Sequence, residues 1–210
     1  LVDGLVRLKP LAQKVAELKM PAVALTDFNN FFGLVKFYKA CQSNGIKPIL
    51  GSEIIIQDEA EETGGSQLVL LICNDIGYKN LTELISRAYQ EGQRQSTPTV
   101  KPSWLKGHSD GLIALSGGRH GEIGIALISG RKSDAANSLA RLMRLFPQRF
   151  YLELQRTGRP DEEDYLHSVI DLSTNFDCPV VATNDVRFLI RDDFEAHEAR
   201  VCIHEGRTLD

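Results

Sequence analysis

The chain of 210 residues is 42% hydrophobic and 25% charged, and its formal net charge is −4. This composition is ordinary for a globular domain with its own core, and the negative charge argues against a domain that holds nucleic acid by electrostatics alone. No apolar run approaches the roughly 20 residues of a membrane-spanning helix, and no signal-like segment opens the sequence. We therefore expect a cytoplasmic protein without a membrane partner.

The first half of the sequence alternates between helix-like and strand-like segments. Leu11, Val15 and Leu18 recur at helical spacing after Pro10, which suits the first turn of a helix. The pattern predicts strands at 21–26, 47–56 and 67–74 and helices at 33–45 and 77–92. Residues 57–66 are acidic and contain a glycine pair, which indicates an exposed loop or hairpin tip.

The second half continues this alternation. The pattern predicts strands at 111–116, 149–155 and 179–184 and helices at 121–130, 133–146 and 161–176, with Ser133 as a helix N-cap. Six strands that alternate with helices, several of them continuous apolar runs, are typical of a parallel sheet covered on both faces. We therefore predict one α/β domain over residues 1–210, with its sheet open or closed into a barrel.

The cysteines and the two ends of the sequence give a weaker signal. The four cysteines are widely spaced and form no CxxC pair, so we expect buried free thiols in a reducing compartment rather than a disulfide or a metal site. The sequence starts without methionine and in the middle of a pattern, which indicates a fragment of a longer chain.

Polar residues follow several predicted strands, and ligands bind at such strand ends in α/β folds. Asp27 follows the first strand and is also placed to cap the next helix. Glu53 lies among apolar neighbours, and a carboxylate inside a strand needs a partner. Asp185 and Arg187 are two residues apart, which fits either a simple ion pair or the remains of a site that once held a ligand.

The five histidines do not indicate a metal site. Only His120 closely follows a predicted strand, and the sequence contains no HxH, DxH or HExxH motif, no P-loop and no GxSxG elbow. A surface or core role is favoured for each histidine over metal ligation.

Four blocks of the sequence resemble the amino-terminal PHP (polymerase and histidinol phosphatase) domain of bacterial DNA polymerase III alpha subunits, in their proteobacterial replicative form. The blocks are PAVALTDFNNFFGLVKFY, LIALSGGRHGEIG, YLELQRTGRPDEE and VVATNDVRFL. The resemblance runs through essentially the whole chain. It implies a distorted (β/α)7 TIM-like barrel, here without its first strand and the histidine pair that this strand carries.

Metal-binding members of that family hold up to three divalent ions with histidines, carboxylates and a cysteine. At the positions to which the resemblance assigns these ligands, the sequence keeps three carboxylates, Asp3, Glu53 and Asp185. The four positions of histidine or cysteine carry Phe28, Gln67, Gly118 and Arg187 instead.

We expect no metal in this vestigial pocket and no catalytic residue. Phenylalanine and glycine side chains cannot coordinate, glutamine coordinates weakly, and arginine repels a divalent ion. Carboxylates that converge without a metal repel one another, and a guanidinium compensates their charge. We predict that Arg187 bonds to at least one of Asp3, Glu53 and Asp185, with a contribution of about 1.5–3 kcal/mol.

The resemblance implies a parent DNA polymerase whose nucleotidyl transfer, with Mg²⁺, takes place in other domains. The present domain would be a non-catalytic scaffold that contacts the remaining polymerase domains and docks the proofreading exonuclease (epsilon) subunit, with DNA bound through the parent holoenzyme. The loop 93–109 and residues 140–150 are candidate docking surfaces, although a solvated charged face is favoured for either segment. The alternative is a metal-dependent phosphoesterase, a pyrophosphatase or 3′–5′ exonuclease, with residual activity.

Overall fold

The computed structural model describes residues 4–58, 64–94, 96–159 and 162–209. Helices α1 to α8 are Leu8–Glu17, Leu34–Ser43, Asp75–Glu91, Pro102–Leu105, Glu122–Ile128, Lys132–Leu145, Glu162–Phe176 and Phe194–Glu205. Strands β1 to β8 are Ala22–Phe28, Lys47–Ile56, Ser66–Ile72, Gln93–Arg94, Thr97–Pro98, Leu112–Leu115, Phe150–Leu154 and Val180–Ala182. None of the helices in these ranges is both long and apolar enough to cross a bilayer.

Six strands form one sheet in the order β1-β2-β3-β6-β7-β8. β6, β7 and β8 pair in parallel as predicted, but β3 is antiparallel to both of its neighbours, β2 and β6. The prediction of a wholly parallel sheet was therefore wrong at β3. Nine residues separate β2 from β3, and a connection this short cannot hold the crossover that parallel neighbours require. Part of the predicted hairpin tip, residues 59–63, lies outside the described ranges.

The strand register sorts the side chains of the sheet onto two faces, because alternate residues of a strand point in opposite directions. One face is the apolar core: Ile54 is opposite Leu68, and Leu70 is opposite Ala114. The other face is more polar. Its members are linked strand by strand through the pairs Glu53–Val69, Val69–Leu115, Leu115–Tyr151 and Glu153–Val181.

The apolar face of the sheet is covered by helices. Leu81 and Leu84 of α3, Leu139 of α6 and Val169 of α7 are all buried in the cluster that includes Ile54 and Leu70. Burial of each such side chain contributes about 1.5–3 kcal/mol, so this face carries much of the stability of the fold.

Contacts within the chain define two compact units. The smaller unit comprises residues 1–24, 33–49 and 184–210, and the larger comprises 25–32 and 50–183. In the smaller unit α1 packs against α2, whose buried residues are Phe37, Ala40 and Cys41. The larger unit holds the whole core cluster.

Two helix starts differ from the prediction. α3 begins at Asp75, before the predicted residue 77, because the side chain of Asn74 caps it by accepting a hydrogen bond of 3.0 Å from Gly77 N. The prediction of Ser133 as an N-cap was wrong, since α6 begins at Lys132 with Arg131 at the N-cap position. The ion pair between Arg131 and Asp134 accompanies this earlier start.

The cysteines are free, as predicted. Cys41, Cys178 and Cys202 are buried, but the expectation of burial was wrong for Cys73, which is exposed. Cys73 comes directly after β3, which ends at Ile72, so it lies beyond the packed part of the strand.

Candidate functional site

Glu53 and Gln67 are the two predicted positions that the sheet brings onto one surface. Glu53 is opposite Val69 and Gln67 is opposite Ile55, so both side chains belong to the polar face of neighbouring antiparallel strands. Both are partly buried. The backbone carbonyl of Glu53 accepts a hydrogen bond of 2.7 Å from Asn29 N, which holds the end of β1 beside β2.

Phe28 and Gly118 are the two predicted positions whose side chains offer no ligand atom. Phe28 is the last residue of β1, and it is 44% exposed. Gly118 lies in a turn of 3-10 helix after β6, is buried, and has a φ of +56°. A Cβ at Gly118 would make an ordinary contact of 3.4 Å with Gln155 Oε1, so a larger side chain there is opposed by the backbone conformation and not by lack of space.

Gln155 belongs to a group of four polar residues at the carboxyl ends of the parallel strands, which we call the strand-end cluster: Ser116, Glu153, Gln155 and Thr183. Thr183 Oγ1 donates to Glu153 Oε1 at 2.5 Å. Gln155 Nε2 donates to the same carboxylate oxygen at 3.4 Å and to Thr183 Oγ1 at 3.2 Å. Ser116 Oγ accepts from Glu153 N at 2.9 Å. These bonds tie the ends of β6, β7 and β8 together.

Glu153 is the centre of the strand-end cluster and is only 4% exposed. Tyr165 of α7 donates its hydroxyl proton to the backbone carbonyl of Glu153 at 3.2 Å. Burial raises the pKa of Tyr165 well above its ordinary value, the negative charge of Glu153 raises this pKa further, and the positive charge of Arg119 opposes the change. The tyrosine therefore remains a neutral hydrogen-bond donor at physiological pH.

The loop after β7 is fixed by a second buried carboxylate, Glu162, at the start of α7. Its oxygens accept hydrogen bonds of 2.8 Å from Thr157 N, Thr157 Oγ1 and Gly158 N. The bond from Thr157 N is the main reason why the pKa of Glu162 is lowered, and the other two bonds and the charge of Arg119 act in the same direction against the effect of desolvation. The ionised carboxylate of Glu162 thus holds this loop in place.

Asp185 and Arg187 lie in the smaller unit and form the ion pair that the sequence predicted. Arg187 Nε is 2.6 Å from Asp185 Oδ1. The backbone carbonyl of Arg187 also accepts a hydrogen bond of 2.7 Å from Leu5 N. The Arg187 side chain is 38% exposed, and the energy of such a pair is at most about 1 kcal/mol, below the 1.5–3 kcal/mol that a fully desolvated bond could give.

The donors at the predicted ligand positions do not suit a divalent ion. Of the six positions that the structure describes, two offer a carboxylate, Glu53 and Asp185, and Asp185 is paired with a fixed positive charge. Across the described ranges, no three His, Cys, Asp or Glu side chains are placed to share a metal ion. Asp3 lies outside those ranges, so the vacant pocket as a whole stays a prediction.

The strand-end cluster was not identified from the sequence, although one signal for it was present. Glu153 stands in the apolar run FYLEL, just as Glu53 stands among apolar neighbours, and the need of a buried carboxylate for a partner applies equally to both. Gln155 is 2 residues from Glu153, on the same side of the chain, but Thr183 is 30 residues away, and only the parallel pairing of β7 with β8 shows that it meets Glu153.

The PHP domain family model matches residues 1–157 of the chain. Over all 210 residues, the chain is 53% identical to the DNA polymerase III subunit alpha of Pseudomonas aeruginosa and 49% identical to that of Escherichia coli K12. The chain spans 18% of the length of each of these curated relatives. The resemblance drawn from the four sequence blocks is confirmed.

Two solved structures share the fold. One, from Bifidobacterium adolescentis, is named as a metal-dependent phosphoesterase and aligns with 94% of this chain and 92% of its own, at a TM-score of 0.55 and 12% identity. The other is an amidohydrolase from Chromobacterium violaceum with bound sulfate and no metal, which aligns with 94% and 93% at a TM-score of 0.58 and 13% identity. At such identities the likeness concerns the fold alone, and it confirms the predicted α/β fold of the PHP type. The chain belongs to the PHP domain family.

Proposed function

We propose that the chain is a non-catalytic module of a replicative DNA polymerase. In this assignment it is a scaffold for the remaining polymerase domains and for the proofreading exonuclease (epsilon) subunit. Nucleotidyl transfer with Mg²⁺ takes place in other domains, DNA is bound through the holoenzyme, and the assembly works in the cytoplasm.

The observation that carries this proposal is the unbroken similarity to DNA polymerase III alpha subunits. Identity of 53% extends over all 210 residues, so it includes the segment beyond residue 157 where the family match ends. A chain that shared only the general fold would resemble these subunits far less, as the 12–13% identity to the two solved structures illustrates.

The chemistry of the predicted ligand positions supports the non-catalytic part of the proposal. Two-metal hydrolysis needs ions about 3.5–4 Å apart that clamp the attacking and leaving oxygens. Phe28 and Gly118 offer no side-chain donor, and Arg187 places a guanidinium beside Asp185. Such a set favours a scaffold over a hydrolase.

Each of the two candidate docking segments contains an exposed cation next to residues that are packed or bonded within the chain. In residues 140–150, Arg141 is bonded to Glu122, whose other oxygen accepts from Ser138 Oγ at 2.6 Å, while Arg144 is exposed. The described residues of 93–109 form β4, β5 and α4 rather than one loop, and the exposed Lys106 follows α4. Arg144 and Lys106 are therefore the residues on which to test each surface.

Two measurements on the gene product that contains this sequence test the proposal. We expect it to extend a primed DNA template with deoxynucleotides and Mg²⁺, and we expect the exonuclease subunit to co-elute with the 210-residue chain in size-exclusion chromatography. Reversal of charge in Arg144→Glu or Lys106→Glu should weaken co-elution for the segment that docks and leave it intact for the other. A gene product without primer extension would contradict the polymerase assignment, and separate elution would contradict the scaffold role.

A second candidate function is a metal-dependent phosphoesterase with residual activity. It is favoured by the name of one structural neighbour and by the carboxylates that persist at Glu53 and Asp185. Release of phosphate from pyrophosphate, or of nucleotides from a DNA 3′ end, in the presence of Mn²⁺ or Zn²⁺ tests it. Activity that disappears in Glu53→Gln would favour this function, whereas activity that survives the substitution would come from a contaminant.

A further inference from the structure

One part of the smaller unit carries a net positive charge because it contains almost no acidic residues. Residues 4–24 and 33–49 contain seven Lys and Arg and a single Glu, a net charge of +6 in a chain whose total is −4. The net charge of the whole chain therefore does not describe this segment. The argument from net charge against electrostatic binding of nucleic acid does not apply to it.

Six of these seven cations are exposed, and we call them the basic surface: Arg7, Lys9, Lys19, Lys36, Lys39 and Lys47. The seventh, Lys14, is partly buried and forms an ion pair of 3.2 Å with Glu17, the only acidic residue of the segment. Among the residues that the structure describes, none of the six exposed cations has a carboxylate within ion-pair distance. Their charge is thus available to a partner.

These cations lie in or beside α1, on α2 and at the start of β2. Lys36 and Lys39 are three residues apart on α2, on the side opposite the buried Phe37 and Cys41. Lys47 N donates to Pro21 O at 2.9 Å, which places Lys47 beside the segment that follows Lys19. α1 also packs against α2, so the three elements that carry the cations are neighbours in the smaller unit.

We propose that the basic surface binds the phosphate backbone of DNA without sequence preference. Five of its six members are lysines, which bind phosphates as mobile point charges and need no fixed geometry, so they suit a backbone that is bound without sequence preference. Several lysines that each neutralise a phosphate release counterions from the duplex and give affinity that depends strongly on salt. The inference rests on the proposed function for the choice of DNA as the polyanion.

A short fluorescently labelled DNA duplex and the 210-residue chain test this proposal by fluorescence anisotropy, over a series of salt concentrations starting at roughly 50 mM. We expect Lys36→Gln/Lys39→Gln to weaken binding about tenfold at the lowest salt concentration and to reduce the slope of log K against log salt by about two. The matched control is Lys79→Gln/Lys132→Gln, which removes the same charge from exposed positions of the larger unit and should leave both quantities unchanged. Circular dichroism verifies that both variants are folded.

Three results would overturn the proposal. The chain could fail to bind the duplex at the lowest salt concentration, the two double variants could weaken binding equally, or polyglutamate could displace the duplex better than unlabelled DNA at equal charge, which would indicate an acidic protein as the partner. None of these results bears on primer extension by the gene product, so this proposal and the polymerase assignment can fail separately.

Discussion

The strand-end cluster and the Asp185–Arg187 pair stabilise a carboxylate in different ways. Glu153 is 4% exposed and is held by neutral donors, Thr183 and Gln155, on neighbouring strands. Asp185 is held by a full positive charge two residues away, in a position where the guanidinium is 38% exposed. Direct ionic pairing thus occurs at the more exposed carboxylate, and hydrogen bonds from neutral side chains reach the buried one.

The comparison indicates that the exposed ion pair, although it joins two full charges, contributes less to stability than the hydrogen bonds of the buried carboxylate. An exposed ion pair contributes about 0–1 kcal/mol, because water screens the charges and two long side chains lose freedom. A buried hydrogen-bonded carboxylate leaves its partners unsatisfied when it is removed, at about 1–3 kcal/mol for each buried group. We therefore expect mutations in the strand-end cluster to lower the free energy of unfolding more than mutations in the Asp185–Arg187 pair.

The largest expected effect is that of Glu153→Ala, which removes the acceptor of Thr183 and leaves a cavity. We expect the free energy of unfolding to fall by about 3 kcal/mol, as measured by urea denaturation. Glu153→Gln keeps the volume and one acceptor oxygen and should recover part of this loss. The exposed Glu163 is the matched control, and Glu163→Ala should cost less than about 0.5 kcal/mol. Equal losses in the two alanine variants would contradict the comparison.

The second expected effect concerns pH and the loop after β7. The folded-state pKa of Glu162 lies below its ordinary value of 4.5, so its hydrogen bonds stabilise the fold above that pH and the stabilisation is lost as pH falls through the folded-state pKa. We expect Glu162→Gln to be less stable than the parent chain at pH 7, with a difference that shrinks on acidification. Glu163→Gln should show no such trend, and a difference for Glu162→Gln that is independent of pH would refute the role of its charge.

A smaller effect is expected from the pair of Asp185 and Arg187. A double-mutant cycle with Asp185→Asn and Arg187→Met should give a coupling free energy of about 0.5–1 kcal/mol, which decreases as salt is added. Thermal or urea unfolding at low and high salt measures it. A coupling above about 2 kcal/mol would show that the pair is desolvated to the degree expected of a buried charged bond.

The smallest effect concerns the thiols. Burial raises the pKa of Cys178 to about 11, so this thiol is neutral and shielded, whereas Cys73 is exposed. At pH 8 a thiol reagent should modify Cys73 in the native chain and Cys178 only after unfolding. Cys73→Ser should change the free energy of unfolding by less than about 0.5 kcal/mol. Rapid modification of Cys178 in the folded chain would contradict its burial.

The sequence predicted the elements well where local pattern determines them. Each of the six strands of the main sheet lies close to its predicted range, because apolar runs between turn residues reflect burial directly. β4 and β5 were missed, since two-residue strands are too short to show a period. The direction of β3 was wrong, because pairing direction depends on the connection between strands and not on the composition of the strand itself.

The site was predictable only in part, and for a similar reason. The bond between Arg187 and Asp185 spans two residues and follows from the sequence. The bond between Thr183 and Glu153 joins two strands, and nothing in the residues around Thr183 identifies its partner before the sheet is known. The basic surface was also hidden, because the net charge of the chain averages it with the acidic remainder.

The most direct test is a calorimetric titration with Mn²⁺ or Zn²⁺, because the central claim is that the predicted ligand positions bind no metal. The 210-residue chain is used because it contains Asp3 as well as the six described positions. Because Phe28, Gln67, Gly118 and Arg187 stand where the family has nitrogen and sulfur donors, we predict no saturable binding of either ion. Stoichiometric binding with micromolar affinity that is lost in Glu53→Gln would contradict it.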